Sequence, residues 1–138
     1  IGVHKWTGSG FERHHTVAPS NGDVRSECTG GMSFLSVGGK HYLVAANIWD
    51  RSSCSGDSFV YVWQPGADRT GQGRFVLFDR VPTDSGADAV LGYLGGEELP
   101  VLLVANFQGV GQGSLGRVDV MSFDPENQNR VLIQTLLA

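Results

Sequence analysis

The sequence lacks the features that mark membrane-spanning, nucleic-acid-binding and disordered chains. No stretch approaches the roughly 20 consecutive apolar residues of a membrane span. The ten Lys and Arg residues are scattered and the net charge is −4, so nucleic acids and anionic membranes are poor partners on charge. Hydrophobic residues make up 41% of the 138 residues and charged ones 17%, which excludes a disordered tail. The length fits a single domain, 1–138.

The common catalytic motifs are also missing. The sequence contains no G-x-S-x-G elbow, no P-loop, no H-E-x-x-H and no dinucleotide fingerprint. Asp84 and Asp88 flank a turn, but calcium takes about six to eight oxygen ligands, so two carboxylates alone do not predict a site. His14 and His15 are adjacent, and adjacent side chains of a regular strand point to opposite faces. We therefore predict no enzyme, no cofactor and no metal site.

Cysteine is scarce, and both copies, Cys28 and Cys54, lie in Ser- and Gly-rich segments that we interpret as connections between strands. The chain opens at Ile1 with neither an initiator Met nor an apolar leader, which we interpret as the processed end of a secreted protein. In a secreted protein an even number of cysteines predicts a disulfide, here between Cys28 and Cys54. A bridge between subunits, or two free thiols in a cytosolic protein, are the alternatives.

Glycine, by contrast, is abundant, with 20 copies and no collagen-like period. The glycines separate short runs of β-branched and aromatic residues, such as SFVYVWQ and RFVLFDRV, where tight turns need a positive φ. No window carries a sustained helical periodicity with a cap at its start. The pattern predicts an all-β chain.

One apolar phrase occurs twice, as HYLVAAN ending at Asn47 and as PVLLVAN ending at Asn106. Each copy is the second of four predicted strands, and the N-terminal segment carries only the last two strands of such a unit. We divide the chain into a half-repeat, 1–30, and two full repeats, 31–88 and 89–138. Four antiparallel strands that repeat about every 60 residues are typical of β-propeller blades.

A family resemblance follows from FLSVGGKHYLVAAN, VYVWQP and GRFVLFDRVPTDSGADAV, which occur in this order. Together they resemble the epilepsy-associated repeat, also called the epitempin (EPTP) repeat, over nearly the whole chain and best from Phe34 to Ala89. Asp79 departs from the usual glutamine, and Val120 and Phe123 replace the Tyr/Trp pair in the last unit. The resemblance implies a propeller used for extracellular recognition, with no characteristic enzymatic activity.

The number of units predicts assembly. Two and a half repeats are fewer than the roughly 4–8 blades that close a propeller. The first half-repeat also presents a hairpin with an open edge, which is a template for pairing with another chain. We therefore expect a homodimer or a higher homo-oligomer that completes the ring or sheet. A monomer with an irregular open barrel is the alternative.

The loops after the second strands are the predicted binding residues. Trp49 stands beside Asp50 and Arg51, and this combination suits carbohydrate, because an aromatic face covers sugar C–H groups while charged groups bond to the hydroxyls. Gln108 lies in the corresponding loop of the last unit. Asn47 and Asn106 would either bond to the backbone of the following turn or contact a ligand. Packing of Trp49 against a neighbouring blade is the alternative.

These features together predict a secreted, multivalent lectin that binds glycans or glycoproteins. An N-acetylhexosamine such as N-acetylglucosamine is the first candidate sugar. The alternative is an extracellular protein–protein interaction module of the same repeat type, which would need an exposed patch of aromatic and Arg residues.

Overall fold

The structure is a computed structural model, and it describes residues 1–17, 28–49, 56–67, 71–96, 98–107 and 116–137, with the backbone alone at Cys28 and Trp49. These residues form strands and turns and no helix, so the all-β prediction is confirmed. Accordingly, the described part of the chain has no long apolar helix that could cross a membrane.

The described strands follow one another in the predicted order. An N-terminal hairpin pairs β1 (Gly2–Trp6) with β2 (Phe11–Thr16). The first sheet has the order β3-β4-β5-β6, and the second has the order β7-β8-β9-β10, with antiparallel neighbours throughout. Their strands are β3 (Cys28–Val37), β4 (Lys40–Trp49), β5 (Ser58–Gln64), β6 (Arg74–Val81), β7 (Gly86–Gly92), β8 (Val101–Asn106), β9 (Arg117–Asp124) and β10 (Asn129–Leu137).

The hairpin covers one face of the first sheet and the second sheet covers the other, which gives an open stack of three layers. Apolar residues alternate with the pleat on each strand, so both faces of the first sheet are apolar and each is buried against a different neighbour. The larger core, between the two sheets, consists of Tyr42, Val44, Ala46, Val60, Val81, Ala89, Leu91, Leu102, Val104, Met121 and Phe123. The described residues contain no closed ring or barrel.

The two sheets come closest at their first strands, β3 and β7. A side chain at Gly30 would overlap the backbone carbonyl oxygen of Ala87. Beside this contact, the Leu91 N–H donates to the hydroxyl oxygen of Ser33 at 3.1 Å. Glycine in the middle of a strand is typical of places where another backbone approaches, and this is its role at Gly30.

Towards the outer strands, large side chains fill the space between the sheets. The Tyr42, Phe78 and Phe123 rings meet edge to face, with centroids 5.4 to 6.1 Å apart. Beyond them, Nε of Arg130 on β10 donates to Oδ2 of Asp79 on β6 at 2.6 Å. Asp79 therefore links the outer strands of the two sheets, and the interface widens from β3 and β7 outwards.

Three details of the predicted boundaries were wrong. Cys28 lies on a strand and not in a connection, because β3 begins there and continues through Gly30. β4 does not end at Asn47 but continues to Trp49, which pairs with Cys28. Trp49 is therefore at a strand end and not within a loop. Cys54 lies outside the described residues, so a disulfide with Cys28 stays a prediction.

The smaller core, between the hairpin and the first sheet, contains a tyrosine hydroxyl that lacks a partner. Val17, Ala45, Phe59 and Tyr61 are buried there. The Tyr61 hydroxyl is buried and bonds to no group in the described part of the chain. Burial raises the pKa of Tyr61 to about 12, against a small opposing effect of Arg80.

We expect Tyr61→Phe to be neutral or stabilising by up to about 1 kcal/mol at pH 7, because it removes a buried hydroxyl without a partner. The folded-state pKa of Tyr61 lies above the ordinary value of 10.0. Its contribution to stability is therefore complete below pH 10 and is lost as the pH rises towards 12. Tyr61→Phe should remove this part of the alkaline loss.

Urea unfolding at pH 7 and at pH 11 measures both effects. Tyr93→Phe is the matched control, because Tyr93 is half exposed and the same substitution there removes no buried hydroxyl. A loss of more than about 1 kcal/mol for Tyr61→Phe at pH 7 would show that the hydroxyl has a hydrogen-bond partner.

Candidate functional site

A cavity lies between the hairpin and the first sheet. Its volume is about 310 Å³, at the small end of the range for ligand pockets. Residues from β1, β2, β5 and the turn before β6 line it, namely Val3, His4, Lys5, His14, Trp63 and Gln72. The cavity therefore combines an indole ring with cationic and amide side chains.

A β-bulge in the hairpin brings two histidines to this side. Val3 pairs with His15 and His4 pairs with Arg13, so His14 is an extra residue on β2 without a cross-strand partner. The prediction that His14 and His15 point to opposite faces was wrong, because a bulge interrupts the strict alternation of a strand. Their ring centroids are 4.9 Å apart, and both rings lie within 6 Å of the Trp63 ring.

Each histidine ties the hairpin to the start of β6. Nε2 of His14 lies 3.0 Å from the carbonyl oxygen of Gly73, and because a carbonyl only accepts, this nitrogen carries the proton and donates. Nε2 of His15 accepts the Phe75 N–H at 3.2 Å. The two bonds therefore give the Nε2 atoms of the two rings opposite roles, a donor in His14 and an acceptor in His15. They also fix the orientation of both rings against the first sheet.

The Trp63 ring has a fixed position in the wall of the cavity. It meets Phe75 edge to face with centroids 5.2 Å apart, an arrangement that Trp6 and Phe11 repeat in the hairpin at 5.1 Å. Gly73 lies against the indole, since a Cβ there would come 2.8 Å from Cζ2 of Trp63, and its φ is +86°. Glycine at this position allows both the turn and the close contact.

The described lining of the cavity carries a cation, Lys5, although the chain as a whole is acidic. Lys5, His4 and His14 contribute to its lining, and none of the described lining residues is a carboxylate. The first 17 residues hold Lys5 and Arg13 against the single carboxylate of Glu12, whereas the whole chain has a net charge of −4. Glu12 is the cross-strand neighbour of Lys5. The local charge therefore favours a ligand that brings acceptor groups or negative charge.

Asn106, one of the residues proposed from the sequence, has a structural role. It is 3% exposed, and its Oδ1 accepts the Asp84 N–H at 3.0 Å while Nδ2 donates to Oδ2 of Asp119 at 2.7 Å. The bond to Asp84 reaches the turn before β7, and not the turn after β8 that the sequence predicted. This amide therefore links β8 to the turn before β7 and to β9.

Asp119 is the centre of this buried network. Besides Asn106, it accepts from Nε of Arg117 at 3.1 Å and from the Thr135 hydroxyl at 2.8 Å. Arg117 also pairs with Asp84 at 2.9 Å. The described residues contain no cluster of three or more His, Cys, Asp or Glu side chains that could hold a metal ion. The carboxylate of Asp84, which we weighed as a calcium ligand, is used in an ion pair.

Asn47 is buried at the equivalent end of the first sheet, with 1% of its surface exposed. Its backbone N–H donates to the Ser58 hydroxyl at 3.1 Å, while its side-chain amide has no hydrogen-bond partner in the part of the chain that is described. Gly86 separates the two asparagines, since it pairs with Asn106 and faces the Asn47 carbonyl. Both asparagines are therefore buried, one on each side of Gly86.

The rest of the site predicted from the sequence lies beyond what the structure describes. Asp50, Arg51 and Gln108 are outside the described residues, and of Trp49 only the backbone is described. The loop site therefore stays a prediction. The sequence analysis did not predict the cavity at Trp63. The available signal was the clustering of histidines, since three of the four lie within the first 15 residues.

Comparison with known proteins found no matching protein family model, no matching curated protein and no matching solved structure.

Proposed function

We propose that the chain is a non-catalytic carbohydrate-binding protein, a lectin, and that it binds a sugar in the cavity beside Trp63. The observation that carries the proposal is the indole ring fixed in the wall of a cavity of about 310 Å³. Aromatic rings with a polar rim suit sugars, because the ring covers C–H groups while neighbouring donors and acceptors bond to the hydroxyls.

The polar groups around Trp63 support this proposal. The Lys5 ammonium donates, the His4 imidazole offers two nitrogens, and His14 keeps only Nδ1 for a ligand because its Nε2 donates to Gly73. An N-acetylhexosamine would place its ring against the indole and its polar groups near Lys5 and His4. The loop at Trp49, Asp50 and Arg51 is a second proposed contact. Secretion and binding to glycoproteins are parts of the same proposal.

A blocking substitution tests the cavity without removing its packing. Gln72 is exposed at the rim, and Gln72→Trp should fill the cavity and weaken glycan binding at least tenfold, measured on a glycan array and by calorimetry with the best hit. Gln64→Trp is the matched control, because Gln64 is exposed on β5 outside the cavity lining. If Gln72→Trp bound glycans as tightly as the parent, the sugar site would have to lie elsewhere. If the parent bound no glycan, the protein-interaction alternative would be favoured.

We also propose that the stack of sheets continues in a propeller-like manner through a second copy of the chain. Val101, Leu103 and Ala105 occupy the repeat positions of Tyr42, Val44 and Ala46, which the second sheet covers. They point away from the first sheet, since Leu102 and Val104 point towards it. This outward face of the second sheet is therefore equivalent to a face that is buried one layer earlier.

A further inference from the structure

We propose that the ligand of the Trp63 cavity is an acidic sugar, that is, a sugar ring carrying a carboxylate or a sulfate. This inference rests on the proposed sugar-binding function and narrows it to one chemical class. The reason is the imbalance of charges around the indole, where Lys5 contributes a cation and none of the described lining residues contributes an anion.

Lys5 and the arginines of the second sheet differ in their ion pairing. Arg117 pairs with Asp84 and Asp119, and Arg130 pairs with Asp79. No ion pair joins Lys5 to another group within the described residues. Its ammonium is thus available to a ligand.

The hydrogen-bonding capacity of the lining also favours an acidic ligand. Neutral sugars bring several hydroxyl donors, which ionised carboxylates accept well, but the described residues that line this cavity include no carboxylate. An ammonium only donates, and Nε2 of His14 already donates to Gly73. A carboxylate or sulfate accepts without donating, so it complements Lys5, and such charge-assisted bonds are roughly twice as strong as neutral ones.

Trp63 accounts for the sugar part of the ligand. A bare anion would leave the indole in contact with water, whereas a pyranose ring covers it with C–H groups. The fixed ring and the free ammonium line the same cavity of about 310 Å³. One ligand that carries both a sugar ring and an anionic group can therefore contact both at once.

Two sugars that differ at a single carbon make the sharpest probe. Methyl β-glucuronide carries a carboxylate where methyl β-glucoside carries a hydroxymethyl group. N-acetylglucosamine 6-sulfate and N-acetylglucosamine form a second pair. We expect the parent chain to bind the acidic member of at least one pair ten or more times as tightly as the neutral member, measured by calorimetry at low salt. The preference should fall as salt is added.

Variants assign this preference to Lys5. Lys5→Gln should weaken binding of the acidic sugar at least tenfold and binding of the neutral sugar less than twofold. Lys40→Gln removes one charge from an exposed position at the start of β4, outside the cavity lining, and should change neither. Because both variants keep a long polar side chain at an exposed site, both should have the same midpoint of urea unfolding as the parent.

The possible failures are distinguishable. Equal affinity for both members of each pair would overturn the acidic-sugar inference and leave the lectin proposal standing. Absence of binding to all four sugars would overturn both. Binding of inorganic sulfate as tightly as the sulfated sugar would also overturn the inference, since the indole would then contribute nothing.

Discussion

Gly30→Ala is expected to lower the free energy of unfolding by about 3 kcal/mol or more, because the added methyl group has no space between the two sheets. It would overlap the carbonyl oxygen of Ala87, and the Ile48 side chain also lies within 3.1 Å of that position. A backbone group cannot rotate away as a flexible side chain can. The sheets would have to separate at β3 and β7, where the rest of the core holds them together.

Urea unfolding of Gly30→Ala and Gly92→Ala measures the effect against a matched control. Gly92 also lies on a strand, but a Cβ there would meet nothing within 4 Å and its φ is not positive. Gly92→Ala should therefore be neutral or stabilising by up to about 1 kcal/mol. If the two variants were equally stable, β3 and β7 would not approach as closely as the structure has them.

Gly30 also explains why the start of β3 was predicted wrongly. The residues Thr29 to Gly31 look like a turn, because glycine is depleted in strands and enriched in turns. They belong to β3 because β7 approaches them. Glycine is required here because of the approach of a strand that is more than 50 residues away in the sequence. A local pattern cannot contain that information, whereas strand order and class depend on local alternation and were predictable.

The alternation of side chains along a regular strand also explains why the cavity was not predicted from the sequence. A regular strand separates His14 from His15, and only the bulge brings both rings to Trp63. Bulges of this kind leave no clear trace in a single sequence. The cavity further depends on which face of the first sheet the hairpin covers, which is a tertiary property. The histidine-rich start of the chain was visible, but its partner Trp63 was not.

The last repeat lacks the pair of rings that joins the third and fourth strands of the first two units. Ring pairs open the fourth strand in the first two units, as Trp6 with Phe11 and Trp63 with Phe75. In the last unit Phe123 pairs with Arg130, so an arginine takes the place of the second ring. Arg130 forms an ion pair with Asp79 on the first sheet. A contact between the sheets thus accounts for the different residue at this position.

The outward face of the second sheet leads to the prediction about assembly. Val90, Leu103, Val120, Val131 and Leu136 point to this face by the pairing register. Val90, Val131 and Leu136 are 51%, 53% and 46% exposed, and the same register places Asp88 beside Val90 on β7, at the edge of this face. Exposed apolar patches of this kind mark interaction surfaces. The equivalent face of the first sheet is buried by a further sheet, so the proposed occupant is a second copy.

We expect the parent chain to have a mass in solution that is a multiple of 14.8 kDa at micromolar concentration, measured by light scattering. The variant Val90→Asp, combined with Leu136→Asp, should convert it to a monomer. Burying an unpaired carboxylate costs at least about 3 kcal/mol, which corresponds to roughly 100-fold in the dissociation constant. Both side chains are half exposed, so the isolated fold should tolerate the change.

Phe11→Asp distinguishes two arrangements of the copies. Phe11 is 74% exposed on the hairpin, at the opposite end of the stack from the second sheet. In a two-fold dimer the outward faces of two second sheets meet, and Phe11→Asp leaves the mass unchanged. In a head-to-tail ring the second sheet meets the hairpin of the next copy, and Phe11→Asp dissociates it as well. A parent chain that is a monomer at micromolar concentration would contradict both arrangements, because the apolar face would then remain in contact with water.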